Sequence, residues 1–166
     1  MKEHVIHIDW SGPYTRRKME RFKNKEDIGI YQVYGKHQVY GDDVLLYIGA
    51  ARGQAFFQSI KAEGWNYERS TGKGTFFCLG RLRVDEAASP SHIDREILLA
   101  EKLLVFAHMP VYNSCRIMMV PDKRLRYLHV QNWGQYASMM PEVSGARWVS
   151  AYDAAHGSGE PSYDSH

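Results

Sequence analysis

Two runs of β-branched and aromatic residues set the strongest constraint on this chain: "IGIYQVYG" at 28–35 and "VLLYIGA" at 44–50. Such residues suit a pleated, half-buried strand better than a helix. Turn residues such as Gly35 and Gly41-Asp42-Asp43 lie between the cores of the runs, which predicts an antiparallel hairpin with a long connection. A hairpin alone is marginal in water and needs more strands or a helix against it. The sequence supplies both. "HVIHIDW", "TFFCLGRLRV", "CRIMMV" and "LRYLHV" read as strands, and "NWGQYASMMPEVSG" as an irregular segment. "GQAFFQSIKAEG" reads as a helix closed by Gly64.

The clearest helix is "SPSHIDREILLAEKLLVFAHMP", with Ser91 as cap, Asp94 three residues on and Pro110 as the stop. "TRRKMERFKNKE" predicts a surface helix after Thr15, whose basic residues surround only Met19 and Phe22. Its plain reading is a solvated face, and its alternative is a phosphate-contacting one. This order of elements predicts an α/β (α+β) fold with a small mixed, mainly antiparallel sheet flanked by helices. At 166 residues the chain is expected to form one domain over 1–150, with the Gly/Ser/Pro-rich stretch 151–166 as a disordered tail.

A formal net charge of +2 excludes a global basic field, so any nucleic-acid site must be local. Cys78 and Cys115 lie far apart with no C-x-x-C spacing, which argues against a zinc ribbon or disulfide framework and suits a reducing cytoplasm. No apolar run is long enough for a membrane span, so no membrane partner is expected. "STGKGT" lacks the spacing of a nucleotide-binding loop and reads as a flexible basic loop. His4 and His7 fall on opposite faces of their strand, and the histidines show no metal-ligand clustering.

One residue in the clear helix is out of place. Glu101 has Ile97, Leu98, Leu104 and Val105 as its three- and four-residue neighbours, so it lies on the apolar face. A carboxylate there is costly unless a cation, metal or donor satisfies it. Asp94 and Glu96 sit nearer the helix start, where negative charge is tolerated. Periodicity leaves Glu101 open between a buried structural ion pair and a site residue.

Gly29-Ile30-Tyr31 and Tyr47-Ile48-Gly49 on a hairpin, then a helix, then "EKLLVFAHMPVYN", resemble the GIY-YIG nuclease family over residues 28–113. The flanks "HIDWSGPYT" and "NWGQYASMMPEVSG" resemble its stand-alone, restriction-endonuclease-like branch. The resemblance implies a divalent-metal-dependent DNA endonuclease that hydrolyses phosphodiester bonds, of the restriction or phage-defence sort. Tyr31 would position or deprotonate the attacking water, and Tyr47 would hydrogen-bond within the site and to the phosphate. Glu101 would hold Mg²⁺ or Mn²⁺, and Asn113 would bind the phosphate or brace the site. Gly29 and Gly49 would let the substrate backbone approach. A two-strand cut would call for a homodimer.

The chain departs from that family at one place. The helix after the YIG element should carry an arginine, with a His or Tyr four residues later. Aligning on the aromatic residues and Trp65 puts Ser59 and Glu63 at these positions. Aligning without a gap puts Phe57 and Lys61 there. Either way the arginine is missing. Arg52, Arg69 or Lys61 are the candidate replacement cations. The alternative is a catalytically degenerate relative that binds nucleic acid or a protein partner without cleavage.

Overall fold

The computed structural model describes residues 3–65, 74–113 and 123–148. The expected strand "CRIMMV", most of the loop "STGKGT", Arg69, Cys115 and the tail 151–166 lie outside these residues.

Strands β1 (His4–Thr15), β2 (Gly29–His37), β3 (Gly41–Ala51), β4 (Phe76–Leu82), β5 (Leu128–Gly134) and β6 (Glu142–Ser144) form one sheet. It is six-stranded, in the order β3-β2-β4-β1-β5-β6. β1 and β5 pair parallel, and the other pairings are antiparallel. The helices are α1 (Arg16–Met19), α2 (Phe56–Ala62) and α3 (Pro90–His108). The fold is therefore mixed α+β with a mainly antiparallel sheet. Among the described residues no helix is long and apolar enough to cross a membrane.

Strand alternation sorts the side chains into two cores. Ile30, Tyr34, Ile48, Cys78, Ile8 and Val130 share one face with Ile97, Leu103, Leu104 and Val105 of α3. Tyr31, Val33, Phe77 and Leu79 share the other face with Met19 of α1 and Phe56 and Ile60 of α2. Each aliphatic side chain buried this way contributes about 1.5–3 kcal/mol.

Several expectations are corrected. The hairpin connection is short: β2 continues through Gly35, which pairs with Val44, and His37 already faces Gly41. Basic α1 stops after one turn. Its like charges repel at helical spacing, and an Asn24–Asp27 turn closes the segment, with Asn24 N–H donating to Asp27 Oδ2 at 3.0 Å. The cap of α3 is Ser89 rather than Ser91. Its Oγ accepts from His92 N–H at 3.3 Å, and Pro90 takes the first helical position, where its missing N–H costs nothing. The segment expected to be irregular instead extends β5 through Gly134 and contains β6, while residues 123–127 form a 3-10 turn.

α3 ends at Met109, whose left-handed backbone (φ 46°) is followed by Pro110. His108 ties that end down. Its ring nitrogens meet the Leu104 carbonyl at 2.9 Å and the Met140 N–H at 2.9 Å. The first contact needs a donor and the second an acceptor, so the neutral ring with its proton on Nδ1 satisfies both. Burial lowers the His108 pKa, which favours that neutral form.

Candidate active site

The site is built on the paired strands β2 and β3. Tyr31 stands opposite Gly49 in the ladder, and Val33 stands opposite Tyr47. Tyr31 and Tyr47 therefore share a sheet face, with ring centroids 6.2 Å apart and planes 38° apart. Just beyond Tyr47 the register shifts, leaving Leu46 as an extra residue. Such a bulge bends a strand and re-aims its side chains.

Gly49 has a steric reason to be glycine. A Cβ there would overlap the ζ-carbon and hydroxyl of Tyr31 and the ring edge of Tyr47. The Tyr31 phenol thus lies across the bare backbone of the neighbouring strand. Gly29 likewise makes room inside the protein: at φ +144° it accepts the Gly80 carbonyl and the Phe56 ring. Both glycines are explained by packing, without a substrate.

Four polar groups act on the Tyr31 hydroxyl besides its burial. Burial raises its pKa most, followed by Tyr47, Glu63 and Glu101; a hydrogen bond with Ser59 partly opposes them. At 1 % exposure the phenol is kept firmly neutral. Among the described residues, none of these influences is a cation. Ser59 on α2 and Glu63 at its C-cap both act on the Tyr31 phenol, the first through a hydrogen bond and the second through its charge. Phe57, from the other alignment, instead lies under the Lys23 ammonium at 4.6 Å.

The candidate replacement cations fare differently. Arg52 and Lys61 are exposed and are not among the charges acting on Tyr31. Arg69 lies outside the described residues. Arg81, on the next strand, is engaged by Asp27 at 2.6 Å and lies over Phe22 and Phe56. Ser59 is buried; its hydroxyl donates to the Ala50 carbonyl at 3.1 Å. Glu63, by contrast, is exposed at the end of α2.

Glu101 is buried on α3, 9 % exposed, as its periodicity implied. α3 covers the face opposite the two tyrosines, yet packs on β3 closely enough for the Glu101 charge to reach Tyr31. Glu96 corrects the reading of acids near the helix start. It is also buried, and its carboxylate pairs with the His4 ring.

Asn113 braces the site. Its Oδ1 accepts from the Ile48 N–H at 2.9 Å and its Nδ2 donates to the Ile48 carbonyl at 2.8 Å. Beside it, Tyr112 N–H donates to the Leu46 carbonyl at 2.9 Å. The "MPVYN" segment thus pairs with the outer edge of β3, next to Gly49. Asn113→Ala is expected to destabilise the protein by about 2–4 kcal/mol, because it strands two buried backbone groups. Urea denaturation measures this; a loss below about 1 kcal/mol would mean water replaces the amide.

The described donor set does not make a closed metal centre. Among the described residues no group of three or more His, Cys, Asp or Glu side chains converges. A closed zinc centre requires such a group. A hard, mostly hydrated dication needs only one or two carboxylates, and Glu101 is the buried carboxylate whose charge acts on Tyr31.

The sequence reading missed Arg16. Its guanidinium donates to the Trp65 carbonyl at 3.2 Å, anchoring the basic segment beside the aromatic ring that contacts Tyr47. Nothing local in the sequence signals this contact between residues so far apart. No family model, no curated protein and no solved structure matches the chain.

Proposed function

We infer that this chain is a GIY-YIG-type DNA endonuclease that hydrolyses phosphodiester bonds with Mg²⁺ or Mn²⁺. The observation that carries the reading is the Tyr31 hydroxyl laid across Gly49, beside Tyr47 and within reach of the Glu101 charge.

Tyr31 would orient the attacking water and accept its proton as the phenolate, after positive charge in the site has let the phenol release its own proton to solvent against the burial and the acids that now hold it neutral. Tyr47 hydrogen-bonds the phosphate from the same face. Glu101 would hold the dication, which would supply Lewis acidity for the phosphate and the leaving oxygen. Asn113 keeps β3 in place through Ile48.

Removing the carboxylate tests the metal assignment. Glu101→Ala is expected to lose Mn²⁺ binding in calorimetric titration while the far-ultraviolet spectrum stays native. Unchanged binding would move the metal elsewhere.

The second reading is a degenerate relative that binds without cutting. One observation favours it: the groups of α2 that act on the Tyr31 phenol are a hydroxyl, Ser59, and an acid, Glu63, with no cation, and an acid there would repel a phosphate. Duplex binding without cleavage under any divalent metal would select this reading.

A further inference from the structure

The rings around the site do not stop at Tyr47. Trp65 follows at 5.4 Å between centroids, Tyr112 at 6.0 Å from Trp65, His37 at 5.9 Å from Tyr112 and Tyr40 at 4.8 Å from His37. This chain of rings begins in the core and surfaces along the hairpin. Trp65 is buried, Tyr112 is half exposed and Tyr40 is 68 % exposed at the tip. A core does not need rings in open water, and the exposed faces of Tyr112 and Tyr40 leave stacking surface unused.

Charge lies at the inner end of the strip. Residues 16–25 hold Arg16, Arg17, Lys18, Arg21, Lys23 and Lys25 against the single acid Glu20, in a chain whose net charge is only +2. Arg16 fastens this run to the Trp65 carbonyl, and Lys23 fastens it to the Phe57 ring. The tip is balanced instead, with Lys36 near Asp42 at 3.9 Å and Asp43 beside them. Cations beside rings match a partner that presents phosphates and flat apolar faces together.

We propose that the strip Tyr47–Trp65–Tyr112–His37–Tyr40, with the basic run 16–25 at its inner end, is a track for unpaired nucleic acid. Its bases stack on Tyr112, His37 and Tyr40, and its phosphates meet Arg17 and Lys18. In a duplex the base faces are already stacked on one another, so only an unpaired strand or flap offers them to the rings. Base–aromatic stacking tolerates any sequence, because every base has a π-face. The proposal rests on the reading of the site as one for a polynucleotide, and it adds a preference for an unpaired segment, which the locally melted regions of a supercoiled plasmid also supply. It does not depend on cleavage.

The test is fluorescence anisotropy with labelled oligothymidine, alone and annealed to its complement, in EDTA so that no hydrolysis intervenes. The single strand is expected to bind more tightly than the duplex. Tyr112→Ala should weaken single-strand binding by about five- to a hundredfold, while Tyr112→Phe retains it. Tyr40→Ala, at the exposed hairpin tip, should act in the same direction without affecting the fold. Arg17→Ala/Lys18→Ala should weaken both forms and reduce the slope of log affinity against log salt by about one to two. Equal or tighter duplex binding, no binding of either form, or indifference to both tyrosine changes would overturn the track. Single-strand binding without cleavage under any divalent metal would leave the track standing and defeat the nuclease reading instead.

Discussion

Replacing Glu63 by arginine is expected to raise the rate of DNA cleavage by about a hundredfold or more, the size of effect seen when one preorganised group stabilises transition-state charge. Glu63 caps the C-terminus of α2, and its charge is one of those that, after burial, hold the Tyr31 phenol neutral. The substitution removes a carboxylate that opposes a phosphate and supplies the cation the described site lacks. The fold should tolerate it, because Glu63 is exposed and a cation suits a helix C-terminus. Arginine at position 59 is the poorer choice. Ser59 is buried and bonded to the Ala50 carbonyl, so a long side chain there would overpack the space beneath α2. Plasmid nicking by wild type and Glu63→Arg makes the comparison. A variant no faster than wild type would show that position 63 does not address the phosphate. If wild type is inert, the same variant decides whether the missing cation is the reason.

Tyr31→Phe is expected to lower cleavage by about a hundred- to ten-thousandfold, the usual contribution of a positioned acid–base group. The ring stays, so its packing over Gly49 is preserved and the fold should survive. Only the hydroxyl and its contact with Ser59 are lost. Undiminished activity in Tyr31→Phe would remove the phenol from the chemistry and leave it a packing residue.

Much of this arrangement is written in short-range sequence. The hairpin follows from β-branched and aromatic runs, and the burial of Glu101 follows from its apolar three- and four-residue neighbours. What escaped depends on contacts between distant segments. Asn113 became a brace because the segment after α3 returns to the open edge of β3, which no local pattern encodes. Glu96 lies in a part of α3 where charge is normally solvated, yet its burial follows from its pairing with His4 on β1. The basic segment read as a helix because composition overstated it; with little to bury beyond Met19 and Phe22, it turns at Asn24–Asp27. The two glycines were legible as special, and the structure adds a packing reason for each, Tyr31 over Gly49 and the Gly80 carbonyl against Gly29.

The most direct measurement is supercoiled plasmid incubated with the wild-type chain in Mg²⁺, in Mn²⁺ and in EDTA, with Tyr31→Phe and Glu101→Ala alongside. The account predicts nicked or linear product with at least one metal, none in EDTA, and strong loss in both variants. No product under either metal, or cleavage that persists in EDTA or in both variants, would contradict it.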